Sequence, residues 1–268
     1  MLTKDTQTVD GDGERRGWGE RARLRRARRA LERQLAYQRR KAGKVRGREA
    51  EIVAAMRRHS LRVRERLEEV RPVDPKARVL EVGSGAHGLI FYFGAEHGVG
   101  LDPLAADYAA LFPAWQPLAH TVAARGEELP FAEASFDLVL CDNVVDHAES
   151  PRRIVTELAR VLAPGGLLYF TVNFHHPVYA AAAAAHSAWN AAGLALEIGP
   201  FADHTVHLTL GAARALFDGL PFRPLAERHD IEEARALARR RPPRHPGDRL
   251  KRLFFKNALY ELIAERRP

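Results

Sequence analysis

The sequence predicts an α/β fold built on a mostly parallel sheet, preceded by a helical extension. Three observations carry that prediction. From Arg78 onward, short apolar runs alternate with segments at helical spacing, the pattern of strands joined by crossover helices. Those runs are mostly continuous in apolar character, as suits strands covered on both faces. The first of them leads into Gly83-Ser84-Gly85-Ala86-His87-Gly88, a glycine-rich turn placed where such a sheet would open a binding crevice.

Length and composition set the frame. The chain has 268 residues, 46% of them hydrophobic, enough for one substantial core with an appendage. No apolar run approaches the roughly 20 residues of a membrane span. Met1 to Glu20 lacks the continuous apolar stretch of a secretion signal, so the expectation is a cytoplasmic protein with no membrane partner. The single cysteine, Cys141, excludes an internal disulfide and a four-cysteine zinc site. Charge is unevenly spread: residues 1–78 carry a net +12, residues 79–222 a net −10 and residues 223–268 a net +6. An acidic middle fits a cationic ligand better than a nucleic-acid groove, whereas the basic arms could touch phosphate.

In chain order, residues 1–17 read as a disordered tail and 18–72 as a basic helical extension. Leu24, Ala27, Leu31 and Leu35 recur at helical steps until Gly43 and Gly47 interrupt them. A second helix follows, with Ile52, Val53, Met56, Val63 and Leu67 on one face, closed by Pro72 and Pro75. Residues 73–268 form the main domain. Its strands are Val79–Val82, Val99–Leu101, Leu138–Cys141 and Leu167–Val172, with a helix over Pro151–Leu162 ended by Pro164-Gly165-Gly166. A long excursion at 174–203, holding the run Ala180–Ala185 and Trp189, reads as an inserted helical cap. Leu210–Leu216 reads as a helix, Phe222–Arg228 and Asn257–Ala264 as strands, and Arg239–His245 as a surface loop.

The chemistry centres on Val79-Leu80-Glu81-Val82-Gly83-Ser84-Gly85-Ala86-His87-Gly88, read as a strand, a G-x-G-x-x-G turn and the start of a helix. Alone this pattern is shared with nicotinamide and flavin enzymes. Glu81 distinguishes it. A carboxylate at the strand end opposes a pyrophosphate and favours a ligand bearing an ammonium and a sulfonium. Asp102, ending Gly100-Leu101-Asp102, suits two ribose hydroxyls under either reading.

Together with Phe136-Asp137-Leu138-Val139-Leu140-Cys141-Asp142-Asn143-Val144-Val145-Asp146-His147 and Leu162-Ala163-Pro164-Gly165-Gly166, these pieces resemble the class I S-adenosylmethionine-dependent methyltransferases, most closely the methyltransferase-11 group. The resemblance is dense over Val79–Val172, about a third of the chain. It implies a Rossmann-like, doubly wound, mostly parallel seven-stranded sheet with a reversed last strand. It also implies S-adenosyl-L-methionine as cofactor. On the matching positions, Gly83, Ser84 and Gly85 would pass beneath the methionine part, with Glu81 near its ammonium. Asp102 would hold the ribose, while Pro103 and Leu104 flank the adenine. Gly126 and Glu127 would border the adenine's other side, in a segment that departs from the family by reading Arg125-Gly126 where many members carry an aspartate. Asp142 and Asn143 would face the amino acid and methyl.

Methyl transfer from a sulfonium needs chiefly alignment, and a base only where the acceptor must lose a proton. His147 and His175 are the candidate bases, with His176, His204 and His207 near the same edge; a metal site is not expected. The absence of an Asn/Asp-Pro-Pro-aromatic sequence after Asp142 argues against adenine or cytosine amino groups as acceptors. A small-molecule acceptor is the leading reading. Alternatives are an RNA- or ribosome-directed methyltransferase gripping phosphate through its basic helices, a non-catalytic cofactor-binding protein and, more distantly, a nicotinamide oxidoreductase. The oligomeric state is not legible.

Overall fold

A computed structural model describes residues 31–181, 206–240, 255 and 257–268. The tail, Leu24 and Ala27, most of the cap with Trp189, and His204 lie outside them.

Residues 31–45 form helix α1, which runs through Gly43 and stops before Gly47, whose φ of +83° suits glycine. Of the two glycines expected to interrupt helicity, only Gly47 does. Helix α2 spans Glu49–Glu68, with Glu49 and Glu51 in the first turn and Arg66 in the last, matching the helix dipole. Its buried residues, Met56, Ser60, Val63 and Leu67, fall on one stripe.

The compact unit that contains the sheet begins at Val45 and so takes in α2. Helix α2 belongs to it because side chains fasten it there. The Ser60 hydroxyl donates to the Leu89 carbonyl at 3.0 Å and Arg64 donates to the Phe93 carbonyl at 3.0 Å. Arg66 and Arg228 flank the buried Glu261 carboxylate, to which the Tyr169 hydroxyl donates at 3.1 Å. A carboxylate so buried is tolerable because each oxygen has a charged or hydrogen-bonded partner.

The sheet comprises β1 (Arg78–Val82), β2 (His97–Leu101), β3 (His120–Val122), β4 (Phe136–Asp142), β5 (Leu162–Phe174), β6 (Phe222–His229) and β7 (Ala258–Arg266). Their order is β3-β2-β1-β4-β5-β7-β6. Strands β1 to β5 pair in parallel, and β7 lies antiparallel between β5 and β6. This is the seven-stranded sheet with one reversed strand that the sequence implied. Helices α3 (Ala105–Leu111), α4 (Pro151–Val161), α5 (Leu210–Ala215) and α6 (Ile231–Arg240) accompany it. The core joins Val82, Val139, Phe170, Leu262 and Ile154 of the sheet and α4, all nearly inaccessible to solvent.

Three expectations give way. Strand β5 starts at Leu162 and runs through Pro164-Gly165-Gly166, with a register shift against β4, instead of starting after them. Helix α6 takes in Arg239 and Arg240 of the expected loop. Most consequentially, no helix follows the glycine turn: residues 83–96 form turns. Side chains occupy the backbone groups that a helical ladder would use. Leu89 and Ile90 donate their amides to Glu81, while Trp115 and Gln116 donate to the Ala86 carbonyl.

Candidate active site

The strand order reverses between β1 and β4, so the carboxyl ends of these two strands border the crevice where open α/β sheets bind ligands. The glycine turn lies at the end of β1. Gly83 and Ser84 donate their amides to the Leu101 carbonyl at 2.7 and 3.1 Å, tying the turn to β2. Gly83, at φ +76°, is packed against the protein, since a Cβ there would stand 2.4 Å from Val144. Gly85, at φ +55°, is different. A Cβ there would meet only the Gly83 carbonyl at 3.8 Å and the Asp102 carboxylate at 3.9 Å, so the turn is open on that side.

Asp102 ends β2 beside that opening. One carboxylate oxygen accepts the Gly85 amide at 3.1 Å, the other the Leu104 amide at 2.8 Å. Burial raises its pKa, the two amides opposing the shift. Pro103 follows directly in the half-buried start of the next turn. The two amides fix the carboxylate and leave further lone pairs for two vicinal hydroxyls. Asp102→Ala is therefore expected to weaken S-adenosylhomocysteine binding at least about tenfold by calorimetry, a charge-assisted bond being worth roughly 1.5–3 kcal/mol. Wild-type affinity in that variant would remove Asp102 from the site.

Glu81 is buried at the floor, its oxygens accepting the Leu89 and Ile90 amides at 2.9 Å each. Its first duty is thus to hold the turn. Desolvation raises its pKa to about 7 against the opposing effect of those bonds, with Asp142 raising it further and His59 lowering it. Asp142, ending β4, accepts the Thr171 hydroxyl at 2.5 Å and faces His59 Nε2 at 2.7 Å. The Asp142 bond lifts His59 above the ordinary imidazole range. Asn143 adopts φ +57° at the strand end, and its side-chain oxygen accepts both the backbone and side-chain amides of Asn173 at 3.0 and 2.7 Å. Asparagine enters this left-handed region more readily than most non-glycine residues, and the Asn173 bonds hold it there.

Gly126 packs into the core, where a Cβ would stand 3.1 Å from Ile154 and Val82. Glu127 accepts the Glu149 amide at 3.1 Å and faces Arg125 at 3.6 Å. His147 is half exposed, 3.8 Å from the Asp146 carboxylate. His175 is 1% exposed and stacks on Tyr179 at 5.1 Å, with His207 at 4.9 Å. Cys141 is buried, its thiol pushed well above the usual range by desolvation, as fits a packing residue. Among the described residues there is no cluster of three metal-ligating side chains and no helix long and apolar enough to cross a membrane.

His59 was absent from the sequence reading. It lies on α2, 83 positions before its partner, and no local pattern marks it.

An open glycine turn, a fixed carboxylate beside it and acidic groups gather at the switch point of this α/β sheet. Residues 80–170 match the methyltransferase-11 family, described as a methyltransferase domain. An uncharacterized methyltransferase of Mycobacterium sp. (strain JLS) is 35% identical over 142 residues, covering 51% of this chain and 47% of its own. One from Mycobacterium leprae is 34% identical over 148 residues, covering 53% and 46%. The chain spans about half the length of the curated relatives it matches. Among solved structures, a putative methyltransferase from Bacillus halodurans superposes with a TM-score of 0.54 at 15% identity, over 76% of this chain and 98% of that one. Geranyl diphosphate C-methyltransferase from Streptomyces coelicolor, in complex with Mg2+, geranyl diphosphate and S-adenosyl-L-homocysteine, gives 0.54 at 12% identity, over 81% and 83%. At these identities the structural likeness is one of fold. The match thus falls on residues 80–170, within a fold shared with solved methyltransferase structures.

Proposed function

We propose that the protein is an S-adenosylmethionine-dependent methyltransferase acting on a small-molecule acceptor. The observation that carries this reading is the combination of an open Gly85 with an acidic rim and no helix after the turn. A dinucleotide site sets a pyrophosphate on a helix N-terminus, whose dipole and free amides suit anions. Here the amides of Leu89 and Ile90 are given to Glu81, and Asp102 and Asp142 border the crevice. That field favours a cationic, phosphate-free nucleoside.

The residues fit the cofactor. Asp102 would hold the ribose hydroxyls, the open Gly85 would let the chain lie close, and Asp142 would face the ammonium. S-adenosylmethionine supplies, when bound, a methyl group on a positively charged sulfur with a good leaving group. The protein's part is to orient the acceptor against that methyl and to exclude water. His147, half exposed beyond β4, is the more accessible candidate base; His175 would need its cover to open first.

Calorimetry with S-adenosylhomocysteine and NAD tests the cofactor assignment. Saturable binding of the former alone is expected, whereas binding of NAD alone would replace the reading with an oxidoreductase. Label from S-[methyl-14C]adenosylmethionine should enter the small-molecule fraction of a bacterial extract. Label entering RNA, with RNA affinity that falls steeply with salt, would transfer the assignment to a nucleic-acid acceptor. No label transfer despite cofactor binding would leave a binding protein without turnover.

A further inference from the structure

The acidic groups of the crevice meet a basic pair brought in by α2. His59 Nε2 stands 2.7 Å from Asp142 Oδ2, and the other ring nitrogen, Nδ1, stands 3.3 Å from an Arg62 guanidinium nitrogen. The pair is accessible: the His59 side chain is 42% exposed and Arg62 is exposed. With Nε2 bound to Asp142, Nδ1 and the guanidinium are two nitrogens spaced to share one carboxylate. Groups facing the imidazole are Asp142 from β4, Glu81 from β1 and Arg62 from its own helix.

A methionine end is a zwitterion. A crevice holding only Glu81, Asp102 and Asp142 would attract its ammonium and repel its carboxylate. Resting on the cofactor reading above, we infer that His59 and Arg62 form the receptor for the α-carboxylate of the cofactor's methionine part, with Asp142 orienting the imidazole for that task. Helix α2 lies outside residues 80–170, so this half of the pocket comes from the N-terminal segment. When no carboxylate is present, Arg62 donates to Nδ1. When one arrives, Nδ1 takes up a proton from solvent, Nδ1–H and the guanidinium both donate to the carboxylate, and Nε2–H continues to donate to Asp142. The zwitterion is thereby matched at both ends. Its ammonium faces acid on the strands, and its carboxylate faces base on the helix.

Two ligands separate this role from general support of the pocket. S-adenosylhomocysteine carries the amino acid; 5′-methylthioadenosine has the nucleoside and thioether without it. Calorimetry on the full chain should show His59→Gln lowering S-adenosylhomocysteine affinity about tenfold, Arg62→Gln lowering it severalfold and the double variant lowering it further. Methylthioadenosine affinity should stay within about twofold in all three. Because Arg62 is exposed, its variant keeps the test alive should His59→Gln fail to fold. Equal loss of both ligands, or wild-type S-adenosylhomocysteine affinity in the double variant, overturns the inference. Failure of the unaltered protein to bind either nucleoside overturns instead the cofactor reading beneath it, and the inference falls with it.

Discussion

Gly85→Val is expected to lower S-adenosylhomocysteine affinity about 100-fold while the chain remains folded. The protein around Gly85 has room for a Cβ, whose nearest neighbours would be 3.8 and 3.9 Å away, in ordinary contact. The side chain would therefore project into the space beside Asp102 assigned to the nucleoside. A branched side chain in an otherwise filled site costs roughly 1–3 kcal/mol or more, enough to lower affinity about 100-fold. The backbone, at φ +55°, adds strain of about 1–2 kcal/mol for an L-residue, so a modest fall in melting temperature is expected. Gly83→Ala provides the contrast. Its Cβ would lie 2.4 Å from Val144, so it should damage stability first and says little about the ligand. A Gly85→Val chain that bound S-adenosylhomocysteine like the unaltered protein would remove the proposed pocket.

The second large effect concerns the buried carboxyl group. Glu81 has its pKa raised from 4.5 to about 7, chiefly by desolvation. Between those values the folded chain holds a proton that the unfolded chain has released, so stability falls as pH rises through this window. The contribution is favourable below pH 4.5 and fully lost above about 7. Its span is about 3 kcal/mol. Glu81→Gln should remove this dependence. The difference in unfolding free energy between unaltered and variant chains, measured by urea titration from pH 4.5 to 8, should change by that amount in the direction of a weaker unaltered protein at high pH. The variant also loses one acceptor for the Leu89 and Ile90 amides, so it should start from lower stability at acid pH. A constant difference across the range would mean that Glu81 is ionised throughout. Bound S-adenosylmethionine, placing positive charge nearby, should restore stability more at pH 8 than at pH 5.

Much of this architecture was legible from residues alone. The apolar runs at Val79, Val99, Leu138 and Leu167 became adjacent strands because residues buried on both faces admit little else. Short elements were harder. Strand β3 has three residues and α3 seven, too few for a period to emerge. The Pro164-Gly165-Gly166 stretch carries turn chemistry, yet the strand passes through it with a shift of register. Leu162 pairs with Phe136 and Leu167 with Leu138, so the stretch is taken up as an irregularity in β5, and β7 joins from Leu167.

The α/β alternation, the glycine turn and the order of carboxylates Glu81, Asp102 and Asp142 along three strand ends can be read from the order of residues. Each depends on spacing between near neighbours, which a chain displays before it folds. That the turn leads into no helix, that Glu81 is spent on backbone amides, that His175 is enclosed and that His59 meets Asp142 emerges on folding. These depend on which distant groups compete for the same hydrogen-bonding atoms and the same space. Such competition is settled when the sheet assembles and α2 docks against it.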